Sequence, residues 1–263
     1  MYISGQLESQ LDALVTHAIA TAFASGTVSN LKTHWKHYIM LCLLLGKDPY
    51  TVDINLICQY IIVLTQSLTA YQSLKNYISS LKLWFLVHSQ DADFMDHFKV
   101  RLCLQSAKRQ LATVPHAKLP ITVDILSQIY QHLDLTDPDD LVLWASFLIC
   151  FWGMLRKASL VPQRVQDFNP AKHLSRGNIV ATDYGLLITL SHSKSNQYGE
   201  YTHQIPLTAI PGSPLDPQAA YLHMVQKLPA SHCSPAFVFS DGTILTHSLF
   251  VKGLRSCLTK INL

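Results

Sequence analysis

The sequence predicts a mainly α protein with a small antiparallel β-sheet, arranged as an all-helical front domain and an α+β rear domain. Three observations predict it. Apolar residues recur at helical spacing between residues 25 and 111, the pattern stops at Pro115 and Pro120, and after Pro162 short strand-like runs separated by turn residues precede two more helical stretches. With 263 residues, 49% hydrophobic and 14% charged, the chain is long enough and apolar enough for two domains that each bury a core.

Residues 1–24 read as an N-terminal segment, 25–111 as a helical domain, 112–121 as a linker and 122–263 as the rear domain. In the front domain, Leu31, Trp35, Tyr38, Ile39 and Cys42 form the first apolar stripe, with Lys32, Lys36 and His37 off it. A second helix starts near the cap candidate Asp53 and buries Ile54, Ile57, Tyr60, Ile61 and Leu64. A third buries Tyr71, Leu74, Tyr77, Ile78, Leu81, Trp84 and Phe85, leaving Lys75 and Lys82 exposed, and a fourth runs from about Asp96 to Leu111. The aromatic residues lie on the buried stripes, which makes them core rather than stacking platforms for bases.

In the rear domain Thr122 caps a helix through Leu133, and the turn Asp137-Pro138-Asp139-Asp140 leads into an apolar run from Leu141 to Leu155. That run is 15 residues, short of the ~20 a membrane crossing needs, so it predicts a buried helix that carries Arg156 to an inner surface. The plainer reading is that Arg156 and Lys157 close a helix C-terminus, where the macrodipole favours cations. Strands follow at 178–182, 186–191 and 201–207, the first two joined by a tight turn at Asp183-Tyr184-Gly185 and the last two by the polar turn from Lys194 to Gly199. Helices return at 216–228 and 246–259.

Composition narrows the function. The first 26 residues hold no Lys or Arg, which argues against a secretory leader or transit peptide, and no run reaches 18 apolar residues. The six cysteines form no CxxC pair and the thirteen histidines no HExxH pattern, so neither a metal nor a small-molecule cofactor is expected. Residues 1–120 hold ten Lys or Arg against seven Asp or Glu, and residues 121–263 hold ten against ten. Between Lys99 and Lys118 stand Lys99, Arg101, Lys108, Arg109 and Lys118 with no acid, a stretch that can follow a phosphate backbone by counterion release or simply form a solvated face.

Three segments in order carry a family resemblance: LPIT at 119–122, FWGMLRKASLVP at 151–162 and LITLSHSKSNQYGEYTHQIPL at 187–207. From about residue 25 onward the chain resembles the tyrosine recombinases and integrases, close to versions encoded by eukaryotic mobile elements. The helical front resembles their SAM-like core-binding domain. The second segment looks like their first active-site arginine segment, and the third like their hairpin bearing the active-site lysine. The resemblance implies phosphoryl transfer within double-stranded DNA, in which a tyrosine attacks a backbone phosphate and forms a 3′-phosphotyrosyl link. Arg156 matches the arginine that stabilises the equatorial charge, and Lys194 the lysine that protonates the leaving oxygen. Read without the resemblance, Lys194 is an exposed turn lysine.

The departures are as specific as the matches. Ser159 stands where many members carry an acid, no HxxR segment follows, His247-Ser248-Leu249-Phe250 has Phe250 where an arginine belongs, and the last tyrosine is Tyr221. The resemblance therefore implies a C-terminally truncated member, with a partial catalytic domain at 122–263, no Tyr nucleophile and no strand transfer by this chain alone. The expected partner is duplex DNA, held through Lys75, Lys82, Lys99, Arg101, Lys108, Arg109 and Lys118, with a homo-oligomer on DNA, no membrane association, and a nuclear location in a eukaryote or a cytoplasmic one otherwise. The alternatives are a domesticated DNA-binding module without chemistry and a helical protein-interaction domain.

Overall fold

The structure, a computed structural model, describes residues 2–88, 90–112, 119–192, 196 and 200–263. It divides into two compact units, Met1–Lys118 and Leu119–Leu263. The first begins with α1 (Tyr2–Thr21), a helix where the sequence reading left an uncharacterised segment. Leu7, Leu11, Leu14, Val15 and Ile19 follow helical spacing along it but are exposed, so the periodicity was present without a buried face to confirm it.

The core of this unit is made by α2 (Ser25–Leu44), α3 (Ile54–Ser67), α4 (Tyr71–Val87) and α5 (Phe98–Gln110). Helix α2 packs on α4, and α3 packs on both α4 and α5. Tyr38, Cys42, Ile57, Tyr60, Ile61, Leu74, Ile78, Leu81 and Phe85 are buried together, which bears out the stripes read from spacing. The Asp53 carboxylate accepts from Asn55 N at 2.8 Å and Leu56 N at 3.2 Å, satisfying two orphan donors of α3. Trp35 Nε1 donates to the Ser80 carbonyl at 2.7 Å and Trp84 Nε1 to the Pro49 carbonyl at 2.9 Å, so both indoles are committed to the interior. Helix α5 starts two residues later than expected, because Asp93–Asp96 form a 3₁₀ turn and His97 is the cap, its Nδ1 accepting from Lys99 N. The described residues contain one ion pair, Lys47 with Asp53 at 3.5 Å.

In the second unit α6 (Val123–Gln131) is capped by Thr122, whose hydroxyl accepts from Ile125 N at 3.3 Å. Helix α7 (Pro138–Trp152) is capped by Asp137 and has Pro138 in its first turn, where no amide partner is lost. It is the centre of the core: Leu141, Val142, Trp144, Ala145, Phe147, Leu148 and Ile149 are buried, with α9 (Pro217–Lys227) and α10 (His247–Lys260) packed against it. Trp144 and Trp152 donate to the carbonyls of Pro214 and Leu215 at 3.3 and 2.9 Å, tying α7 to the segment that leads into α9. Phe151, Leu155, Phe250 and Leu254 line an open apolar groove of about 430 Å³ between α7 and α10.

A three-stranded antiparallel sheet in the order β1 (Ile179–Thr182), β2 (Gly185–Leu190), β3 (His203–Thr208) completes the unit. Thr182 pairs with Gly185 across the two-residue turn Asp183-Tyr184, and Gly185 faces Thr208 on the other side. Leu186, Ile188 and Leu190 alternate inward onto the core, as period two requires. Gly185 has φ +145°, and a Cβ there would lie 1.9 Å from the Leu207 carbonyl oxygen.

Candidate nucleic-acid interface

The sequence reading expected one helix through Leu155 that delivers Arg156 inward, and the structure corrects it. Helix α7 ends at Trp152; Gly153 follows, and Met154 takes a left-handed conformation (φ 47°) with its side chain 91% exposed. The Leu155 amide then returns to the Cys150 carbonyl at 2.9 Å. A Cβ on Gly153 would lie 2.8 Å from the Ile149 carbonyl oxygen, so the close turn depends on that glycine. Apolarity alone overstated the helix because the apolar Met154 and Leu155 belong to the turn. Arg156 leaves it extended, exposed, as the N-cap of the four-residue α8 (Lys157–Leu160), with its carbonyl accepting from Ser159 and Leu160. It therefore begins a helix rather than closing one.

Next to this turn the chain builds a basic concavity of about 620 Å³. Lys157 and Arg164 line it from α8 and the following loop, and His247, Lys252 and Arg255 line it from α10. No carboxylate lines it. The four Lys and Arg side chains are exposed, whereas the His247 ring is partly buried, its Nε2 enclosed without a hydrogen-bond partner. The His247 amide donates to the Pro162 carbonyl at 3.0 Å, which pins the start of α10 to the loop that carries Arg164. Burial, then the positive charge of Lys157, hold the His247 pKa below its ordinary value, opposed by the nearby carbonyls of Val161 and Lys157. An open pocket with four exposed cations suits a phosphate oxygen.

A depressed histidine pKa means the folded chain favours the neutral ring. Its stabilisation is complete above the ordinary value of about 6.5 and is lost as pH falls through the lower folded value. His247→Gln is therefore expected to flatten the acid-side decline of stability, read from urea melts between about pH 7 and 5. The decline should shrink rather than vanish, because burial also depresses His34 and His173. An unchanged slope in the variant would show that the His247 ring is not held neutral by the fold.

The residues singled out by sequence fall into three groups. Lys75, Lys82, Lys99, Arg101, Lys108 and Arg109 are described and exposed. Lys75 and Lys82 lie two turns apart along one side of α4, as do Arg101 and Lys108 on α5, while helical geometry puts Lys99 at the opposite border of the α5 buried face and Arg109 on its back. The acid-free stretch thus surrounds α5 instead of forming one stripe. Lys118 and Lys194 lie outside the described residues. Around the Lys194 turn, Asn196 is buried; its side-chain amide donates to the carbonyls of Ser191 and Tyr201, and its oxygen accepts from Glu200 N at 3.0 Å. Arg156 is adjacent in sequence to the concavity but does not line it.

Sequence reasoning missed Arg164, Lys252 and Arg255, and treated His247 as incidental. The signal was available in α10, where His247, Ser248, Val251, Lys252 and Arg255 recur at helical spacing on one face opposite the buried Phe250 and Cys257.

The chain has a tyrosine-recombinase-like fold. Among solved structures it is similar to the Tn1549 transposon integrase in complex with a circular intermediate DNA, with a TM-score of 0.50 and 13% identity over 85% of this chain and 71% of that one. A lambda integrase dimer bound to a COC′ core site aligns with a TM-score of 0.48 and 12% identity over 97% of this chain and 78% of that one. XerA recombinase aligns with a TM-score of 0.35 and 12% identity over 97% and 77%. No protein-family model matches the sequence, and no characterised protein matches it by sequence.

Proposed function

We propose that the chain is a DNA-binding protein of the tyrosine-recombinase type, acting in DNA recombination and integration, that grips duplex phosphates and does not by itself break the strand. The observation that carries this reading is the basic concavity, with Lys157, Arg164, His247, Lys252 and Arg255 converging where no carboxylate neutralises them. A recombinase-like fold supports it, since the Tn1549 integrase of similar fold is seen with DNA. In this reading the exposed cations of α4 and α5, with Lys118, make backbone contacts of their own. Arg156 and Lys194 clamp phosphate, giving affinity without chemistry, and self-association occurs on the DNA.

The absence of chemistry rests on the nucleophile. Tyr221 is the last tyrosine of the chain and is a core residue, 4% exposed, with its hydroxyl 3.5 Å from the Arg176 carbonyl. Electrostatic stabilisation without a nucleophile yields affinity and no phosphotyrosyl bond.

Fluorescence anisotropy of the full chain on a labelled duplex tests the binding. Log K is expected to fall with log salt at about −0.9 per phosphate, so roughly −3 to −5 for the concavity alone. The same chain incubated with nicked suicide duplexes should give no covalent adduct on a denaturing gel. Absence of binding at ~50 mM salt would remove the DNA reading. An adduct mapped to a tyrosine of this chain would remove the claim that it does not cleave.

A further inference from the structure

A second cationic pocket lies elsewhere in the rear unit. Arg176 sits in a 3₁₀ turn just before β1, clamped by main-chain bonds from its own amide to the Ser234 carbonyl at 2.9 Å and from Gly177 N to the His232 carbonyl at 2.9 Å. Arg176 is only 6% exposed, and among the described residues its guanidinium is in no ion pair; its polar neighbour is the Tyr221 phenol. It lines a cavity of about 470 Å³ together with Lys227 at the end of α9, and no carboxylate lines that cavity. The remaining wall is largely hydrocarbon, including Leu228, Val238, Phe239 and Ile244, with the hydroxyls of Ser234 and Ser240.

A guanidinium remains charged in proteins, and leaving it buried and unpaired is costly unless something pairs it. The neighbouring Tyr221 phenol donates its own hydrogen to the Arg176 carbonyl, and its oxygen can accept one bond from the guanidinium, which eases the burial without neutralising the charge. The cost is removed when an anion enters the pocket. A planar fork matches a carboxylate with two parallel hydrogen bonds, and Lys227 can add a third. A phosphate would turn its remaining oxygens toward Val238, Phe239 and Ile244, where no donors wait. A duplex backbone presents its phosphates to exposed cations, not to a nine-tenths buried one.

We propose that Arg176 and Lys227 form a binding site for a carboxylate carried on an apolar group, either a free organic acid or the C-terminus of a peptide. The site is separate from the basic concavity and independent of DNA binding.

Calorimetry on the full chain tests it with N-acetylphenylalanine, its amide, inorganic phosphate, and a pentapeptide ending in phenylalanine with a free or an amidated terminus. The acids are expected to bind and the amides to bind at least about tenfold more weakly. A peptide acid tighter than the single amino acid identifies a chain end as the natural source, and equal affinity identifies a small acid. R176M should abolish acid binding while raising the Tm of the unliganded chain, because an unpaired buried charge has been removed; K227M should weaken binding several-fold and leave Tm nearly unchanged. The proposal is overturned by no binding at ~10 mM acid, by acid and amide binding alike, by phosphate binding as tightly as the acid, or by an R176M chain that folds but melts lower, which would show the guanidinium to be satisfied already.

Discussion

Lys252→Glu combined with Arg255→Glu is expected to weaken duplex binding by about a hundredfold at ~50 mM salt, and to reduce the salt slope by about two. Both side chains are exposed on α10 and line the concavity, so the reversal removes two phosphate contacts and adds two repulsions. The fold should tolerate it, because neither residue contributes to the core and neither is in an ion pair among the described residues. Lys172→Glu combined with Lys260→Glu, an equal reversal of exposed charges outside the concavity, is the comparison and should change affinity much less. Equal losses in the two variants would mean that net charge, not this pocket, attracts DNA. An unchanged circular dichroism melt in both is needed for the affinities to be compared.

Gly185→Ala is expected to destabilise the rear unit by at least about 3 kcal/mol, enough to unfold it near room temperature if its stability is ordinary. Two causes combine. At φ +145° an L side chain is strained whatever the space, and the new methyl would lie 1.9 Å from the Leu207 oxygen and 2.7 Å from the Ala209 nitrogen, both main-chain atoms. The β2–β3 pairing must part to admit it, and with it the framework that Asn196 ties across the Lys194 connection. Chemical melts of the rear unit's signals in the full chain would measure the loss. A variant within about 1 kcal/mol of the wild type would show that the strand can shift aside at this position.

Much of the fold was legible because burial and spacing coincide. The stripes of α3 and α4 and the caps at Asp53 and Thr122 stand where the sequence put them, while the tight turn expected over Asp183-Tyr184-Gly185 narrows to Asp183-Tyr184 because Gly185 opens β2. What failed did so for identifiable reasons. Gly153 and Met154 end α7 early, but Met154 reads as apolar and so as helix, although its side chain points to solvent. Helix α1 carries a periodic stripe that no described residue covers, and spacing reads the same for a covered face as for an open one.

The candidate site was less legible than the fold. Arg156 was conspicuous because charge follows a long apolar run, yet the concavity is made by Arg164, Lys252 and Arg255, which are ordinary surface cations until α10 folds back beside α8. Arg176 was invisible for the opposite reason: it looks like a loop arginine, and only the pairing of 174–177 with 232–236 buries it.

That the described residues form one ion pair, Lys47 with Asp53, has a practical consequence for ionic strength. A fold that spends almost none of its charges on one another has little electrostatic cohesion for salt to screen, and its apolar cores are indifferent to screening or modestly reinforced by it. Folding should therefore be halotolerant while anion capture is not. The chain can be stored concentrated and free of nucleic acid in strong brine, then diluted to restore contact, and any activity that disappears in the brine reports a lost encounter and not a lost structure.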